Sequence, residues 1–150
     1  SPSKRHLHES FLTGSIGSLY PCFGLPMYTS AKHGVLRFSR ATANRFKKKG
    51  IRPNAILPGV VATNLLDPEE FKDCAEGTFT LVDFIAETVV GLVQGSDITD
   101  VKVCTVPDQD LYGRAIEINV RNIYFRGQPD WCDDTMMAIM NTTETHSYSK

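Results

Sequence analysis

Tyr28 and Lys32 are the residues of this 150-residue chain whose types and spacing most directly suggest chemistry. On a helix, two residues four apart lie one turn from each other, so their side chains share a face. A free phenol has a pKa of about 10 and is a poor acid or base at neutral pH, but an adjacent ammonium group favours the phenolate. The pair therefore predicts a phenol that exchanges a proton with a substrate oxygen. Alone the spacing is weak evidence, because a half-buried tyrosine beside a solvated lysine has the same pattern.

Two other segments are predicted to lie near this pair. Ser15 follows a short apolar run over 10–13, and the segment 58–63, Pro-Gly-Val-Val-Ala-Thr, follows a second predicted buried strand over 51–57. Ligands bind at the carboxyl edge of the strands in open α/β sheets, so both segments are expected at that edge. The Ser15 hydroxyl can orient a substrate oxygen there, and the backbone of 58–63 with the Thr63 hydroxyl suits an amide-bearing ring. The alternative for Ser15 is a turn cap without a ligand.

The elements that must position these residues alternate between strands and helices. We predict strands over 10–13, 51–57 and 115–120, helices over 28–49, 69–75 and 79–93, and a loop over 19–27. The first helix is expected to end at the lysine triplet before Gly50, and Pro53 is expected near the start of its strand because proline donates no hydrogen bond. This order predicts an α/β fold with a parallel sheet flanked by helices.

The hydrophobic spacing of the two longer predicted helices indicates which faces they bury. In the first helix the residues near helical spacing are Val35, Phe38, Thr42 and Phe46. In the helix over 79–93 the apolar stripe consists of Leu81, Phe84, Ile85, Val89 and Leu92.

Four segments together resemble the C-terminal half of the short-chain dehydrogenase/reductase family. They are 13–15 (Thr-Gly-Ser), 28–35 (Tyr-Thr-Ser-Ala-Lys-His-Gly-Val), 50–56 (Gly-Ile-Arg-Pro-Asn-Ala-Ile) and 58–63, and their order and spacing are the family's over roughly residues 10–125. Within the family, 32–35 and 113–118 look most like members of the 15-hydroxyprostaglandin dehydrogenase type. The resemblance implies a Rossmann-like sheet and an NAD(P)-dependent oxidoreductase that transfers a hydride between nicotinamide and a secondary alcohol or ketone.

The resemblance also implies a role for each matching residue. Tyr28 would be the acid/base, Lys32 would support it and hold the nicotinamide ribose, and Ser15 would polarise the substrate oxygen. The implied cofactor-binding residues are Tyr28, Lys32, Pro58, Gly59, Val61 and Thr63. The cofactor would be NAD or NADP, with NAD favoured, and the complete enzyme would be a homodimer or homotetramer.

The family's glycine-rich cofactor loop has no counterpart before Ser15, and the chain does not begin with methionine. We therefore interpret residues 1–127 as the C-terminal half of a dehydrogenase domain without its N-terminal cofactor-binding half, and 128–150 as a polar, frayed extension. This 150-residue piece alone is expected to bind no nicotinamide cofactor tightly. The alternative function is a catalytically silent remnant that acts only as an assembly module.

Composition excludes several other classes of protein. The net charge of −1 lacks the basic excess of a nucleic-acid or anionic-membrane binder, and no apolar run approaches the roughly 20 residues that span a bilayer. The four cysteines are widely spaced without a metal-ligand pattern, so we expect no metal site, buried reduced thiols and a cytoplasmic protein.

Overall fold

The computed structural model describes residues 8–63, 69 and 72–145. Its strands are β1 (His8–Thr13), β2 (Ile51–Pro58), β3 (Ile98–Thr99), β4 (Thr105–Val106), β5 (Ala115–Asn119) and β6 (Asn122–Arg126). Its α-helices are α1 (Pro26–Lys48), α2 (Val82–Gln94) and α3 (Asp134–Thr145), and short 3₁₀ turns cover Ile16–Ser18 and Asp108–Asp110. The predicted helix over 69–75 falls partly outside the described residues.

The main sheet has four strands in the order β1-β2-β5-β6. β1, β2 and β5 are parallel and β6 returns antiparallel to β5, while β3 and β4 form a separate two-stranded hairpin. The predicted α/β fold with a largely parallel sheet and flanking helices is confirmed. β6 and the hairpin are additions that the sequence analysis missed, and Val120, assigned to the third strand, instead begins the turn into β6 with a φ of 58°.

Alternate residues of β2 face two hydrophobic cores, one on each side of the sheet. Ala55 and Leu57 pack with Leu36 of α1, whereas Ile56 packs with Ile116 and residues of α2. The apolar residues 55–57 match a strand buried on both faces, whereas Arg52 and Asn54 are buried in the same strand with hydrogen-bond partners.

The predicted apolar stripe of α1 is wrong. The residues that α1 buries are Leu36, Ser39 and Ala43, whereas Phe38 is 55% exposed. Small side chains let this helix approach the sheet closely: a Cβ added at Gly113, before β5, would lie 2.6 Å from the Ala43 Cβ. The predicted C-terminal end of the helix agrees with the structure. The last helical residue is Lys48, Lys49 is the C-cap, and Gly50 follows with a φ of 72°.

The predicted stripe of α2 is largely confirmed. Leu92 is fully buried, and Phe84, Ile85 and Val89 pack against the same core. Leu81 differs, because it precedes the helix as its N-cap and is 43% exposed.

Pro53 lies near the start of β2, as predicted, although the strand is central. Its carbonyl accepts from the Gly113 N–H (2.7 Å), and the first residue of β2 paired with β5 is Ala55. The nitrogen of Pro53 therefore faces a position where the neighbouring strand has not yet begun, so the missing donor costs no ladder hydrogen bond.

Two expectations about the periphery are corrected. The segment after residue 127 is not simply frayed, because Asp133 caps a helix by accepting from the Met136 N–H (2.7 Å) and α3 runs to Thr145. The cysteines are unpaired but none is buried: Cys22 and Cys74 are half-buried, and Cys104 and Cys132 are exposed. Within the described residues, no helix has the length and apolar character needed to cross a membrane.

Candidate active site

The carboxyl ends of β1 and β2 lie side by side and bring two predicted segments to one edge of the sheet. Thr13 is in register with Ile56, and the Gly14 N–H donates to the Ile56 carbonyl (2.9 Å). Close packing requires a glycine here, since a Cβ at Gly14 would lie 2.5 Å from the Leu57 side chain. Residues 13–15 and 58–63 therefore leave the sheet at the same edge, as the strand order predicted.

Ser15 is held rigidly at this edge by a reciprocal cap. Its hydroxyl accepts from the Gly17 N–H (3.1 Å), while its own N–H donates to the Ser18 hydroxyl (3.2 Å). The side chain is thus a turn cap, which was the alternative considered for it. The two roles are compatible, because accepting this bond leaves the hydroxyl proton available to a substrate oxygen.

Tyr28 and Lys32 occupy the first two turns of α1 and face the end of β1. The Lys32 ammonium donates to the Thr13 carbonyl (3.2 Å) and lies 5.7 Å from the centroid of the Tyr28 ring. The ring is 40% exposed and packs against the backbone at Gly17, where a Cβ would lie 3.0 Å from its Cε1 atom. The edge thus places an exposed phenol, an ammonium group and the Ser15 turn beside one another.

The connection between Ser15 and Tyr28 is fastened to the first turn of α1. The Cys22 N–H donates to the Thr29 hydroxyl (3.1 Å), and the ring of Tyr28 covers the turn that Ser15 caps. Cys22 itself is half-buried and unpaired.

The start of the segment 58–63 is fixed between β5 and the residues before α2. The Gly59 N–H donates to the Ile118 carbonyl (2.8 Å), and the Thr80 N–H donates to the Val60 carbonyl (2.6 Å). A side chain at Gly59 would collide with the Thr80 hydroxyl, 2.6 Å from its Cβ, and with Asn119. Val61 is then half-buried and Thr63 is exposed at the edge.

A buried carboxylate of β5 holds the connection between Ser15 and Tyr28. Glu117 is 6% exposed, its carboxylate accepts from the Tyr20 hydroxyl (3.2 Å), and Arg126 lies 3.4 Å away. Burial and the Glu117 charge raise the pKa of Tyr20, which keeps that phenol protonated and donating.

Sequence analysis missed the residues that hold the site in place, namely Thr13, Gly17, Ser18, Thr29, Thr80 and Glu117. A local signal existed for Ser18 alone, because Ser15 and Ser18 have the spacing of a capping box. The other contacts join residues distant along the chain, and no local pattern reports them.

Comparison with known proteins connects this edge to one family. The short chain dehydrogenase family model matches residues 12–73, which contain both motif segments and the Tyr28–Lys32 pair. A short-chain dehydrogenase/reductase of Penicillium rubens, prx7, is 40% identical over 95% of this chain and 52% of its own length. The NAD(+) 15-hydroxyprostaglandin dehydrogenase of Rattus norvegicus is 30% identical over 75% of this chain and 44% of its own length.

Solved structures agree on the fold. A short chain dehydrogenase from Mycobacterium avium superposes with a TM-score of 0.54 at 18% identity, covering 85% of this chain and 37% of that chain. The peroxisomal multifunctional enzyme type 2 of Drosophila melanogaster gives a TM-score of 0.52 at 18% identity, covering 93% and 25% of the two chains. The chain spans about half the length of the relatives it matches in sequence. The order of the motifs, the sheet edge that the motifs form and these relatives lead to one conclusion. The chain belongs to the short-chain dehydrogenase/reductase family.

Proposed function

We propose that the protein carrying this chain is a nicotinamide-dependent oxidoreductase that interconverts a secondary alcohol and a ketone. The observation that carries the proposal is the position of Lys32, between the Thr13 carbonyl at the end of β1 and the ring of Tyr28. The ammonium group is thus fixed beside a phenol that can exchange a proton with a substrate oxygen.

The residues at this edge fit a nicotinamide nucleotide. The Lys32 ammonium has three protons and the Thr13 carbonyl takes one of them, so donors remain for ribose hydroxyls. No side chain fits at Gly59, so the backbone at the start of the segment 58–63 carries no side-chain bulk at that position. Val61 and Thr63 follow at the same edge. Pro58, Gly59, Val61 and Thr63 would border the carboxamide, and Tyr28 and Lys32 the ribose. The bound cofactor would supply the hydride acceptor or donor.

Two side chains of this chain would then handle the substrate. Tyr28 takes the alcohol proton during oxidation and returns it during reduction. Ser15, held by its cap, donates its hydroxyl proton to the same substrate oxygen and orients it. The reactive oxygen is thus held by two groups on separate elements, which fixes its direction.

The choice between NAD and NADP rests on the relatives. The prostaglandin dehydrogenases are named for NAD(+), and they favour NAD for this chain too. A silent assembly module is not favoured, because Ser15, Tyr28 and Lys32 are all retained and meet at one edge.

The test is Tyr28→Phe in the full-length protein, assayed for NAD(P)-linked oxidation of secondary alcohols. The substitution removes the hydroxyl and keeps the ring packing on Gly17, so turnover should fall at least ~10²-fold. Tyr112→Phe is the matched control, because Tyr112 lies beside Lys47 near the C-terminal end of α1. Turnover of Tyr28→Phe within a few-fold of wild type would contradict the proposed acid/base role.

A further inference from the structure

A cleft of about 420 Å³ lies on the opposite flank of α1 from the proposed catalytic pair. One wall is α1 and the other is the end of β6 with the three residues that follow it; the charged or titratable residues lining it are His33, Arg37, Arg40, Lys102 and Arg126. At 100° per residue, Arg37 and Arg40 lie on a different side of the helix from Tyr28 and Lys32. Ser18 and Leu19, at the turn that Ser15 caps, also line the cleft, so it adjoins the proposed active site, but its charged residues on α1 lie on a different side of the helix from Tyr28 and Lys32.

The lining of this cleft carries charge of one sign. Four residues with permanent cations line it and no aspartate or glutamate does, in a chain whose net charge is −1. Among the described residues, Arg37, Arg40 and Lys102 form no ion pair. The exception is Arg126, which forms an ion pair with Glu117 of the neighbouring strand β5.

Arg40 is fixed in place by the opposite wall. Its Nη2 atom donates to the carbonyls of Arg126 (2.7 Å) and Gly127 (3.0 Å), so the guanidinium bridges α1 to the end of β6. Burial, and then repulsion from Arg37, lower the pKa of Arg40, which means that its charge lacks a compensating partner. An anion in the cleft would supply that compensation.

Lys102 reaches the cleft from a turn that a buried acid organises. The Asp100 carboxylate accepts from the backbone N–H groups of Lys102 and Cys104 (2.9 Å each) and from that of Phe125 (3.4 Å). Asp100 faces the backbone of the hairpin and of β6 and is 7% exposed, so it fixes the turn while the Lys102 side chain lines the cleft.

We propose that this cleft binds a small molecule that carries several negative charges on phosphate or carboxylate groups. Its volume lies in the range of small-ligand sites. Guanidinium groups bind both kinds of oxyanion through paired N–H donors, and a lysine adds a mobile point charge. The site is independent of the dehydrogenase chemistry proposed above.

The experiment is calorimetric titration of the full-length protein with inorganic pyrophosphate and, separately, with citrate, at constant ionic strength set with sodium chloride. Binding of pyrophosphate alone assigns the cleft to phosphates, and binding of citrate alone assigns it to carboxylates. The diagnostic variant is Arg37→Gln with Lys102→Gln, since no hydrogen bond of the described structure uses either side chain; affinity should fall at least tenfold. The matched control is Arg45→Gln with Lys48→Gln, which removes the same charge from the far end of α1 and should change the affinity less than twofold.

Three results would overturn the proposal: no binding of either anion, an equal loss of affinity in the control variant, or binding that NAD abolishes and the diagnostic variant leaves unchanged. The last would place the anion in the cofactor site. Alcohol oxidation by the diagnostic variant should stay within twofold of wild type, so failure of the anion site and failure of the proposed oxidoreductase are separately visible.

Discussion

Arg52 is the side chain whose loss should damage the fold most clearly without touching the proposed active site. It is 2% exposed at the second position of β2, and its guanidinium reaches three elements. The Nε atom donates to Glu9 of β1 (2.5 Å), Nη1 to the carboxylate and the carbonyl of Asp108, and Nη2 to the Leu92 carbonyl at the end of α2 (3.0 Å). Arg52 thus joins β1, α2 and the turn before β5.

We expect Arg52→Met to lower the free energy of unfolding by about 3 kcal/mol. Removing one partner of a buried ion pair costs about 3–5 kcal/mol, because the other charge stays buried without compensation. Most of this free-energy cost comes from Glu9, because its side chain is only 12% exposed. The Asp108 side chain is 33% exposed, so water can solvate it. The lower end of the range therefore applies, and it is a large share of the roughly 5–15 kcal/mol that stabilises a typical domain.

The assay is urea unfolding of the full-length protein, with Arg114→Met as the control. Arg114 is exposed and donates one side-chain bond, to the Asp110 carbonyl (3.1 Å), so its replacement should cost less than about 1 kcal/mol. Adding Glu9→Leu to Arg52→Met should recover part of the loss, since the uncompensated carboxylate is then gone. A loss below about 1 kcal/mol for Arg52→Met, or no recovery in the double variant, would refute this reasoning.

Three further outcomes follow from contacts at and near the site. Lys32→Met should raise the KM for the nicotinamide cofactor, since the ribose hydroxyls lose an ammonium donor; an unchanged KM with measurable activity would contradict this role. Gly14→Ala should cost about 1–3 kcal/mol in denaturant unfolding, because its Cβ would lie 2.5 Å from a buried leucine methyl, whereas Gly24→Ala meets open space and should be near neutral. Backbone N–H groups, that of residue 104 foremost, lower the pKa of Asp100, so its contribution to stability is present above about pH 4 and lost as pH falls through the lowered value. Stability curves of wild type and Asp100→Asn should therefore converge in acid, and a constant gap between them would contradict the assignment.

The parts of the fold that local sequence predicts are those governed by local rules. β2 closes with the apolar residues 55–57, which are buried, and α1 ends at a basic turn followed by Gly50 in a left-handed conformation. Both signals lie within a few residues of the structure they specify. The same is true of the motif spacing, since Tyr28 and Lys32 are four positions apart, which is about one helical turn.

Predictions failed where partners distant in sequence decide the outcome. The apolar stripe assigned to α1 included Phe38, but the sheet below selects small residues, and Ala43 fits against Gly113, 70 positions away. β6 was missed because this half-buried edge strand is short and its apolar run, 123–125, has only three residues. The bond between Tyr20 and Glu117 likewise joins residues 97 positions apart.

The same distinction explains why the proposed catalytic pair could be recognised in the sequence and the basic cleft could not. Tyr28 and Lys32 share one helix face, so their spacing alone relates them. The cleft instead combines one flank of α1 with Lys102 from a hairpin turn and Arg126 from the last strand, and these meet only after the sheet has formed. α1 is common to both: the flank toward β1 carries the proposed acid/base, and the flank toward β6 carries unpaired cations. A helix that approaches the sheet through small residues at its base can present different side chains along both flanks, which is how this short segment can serve two independent sites.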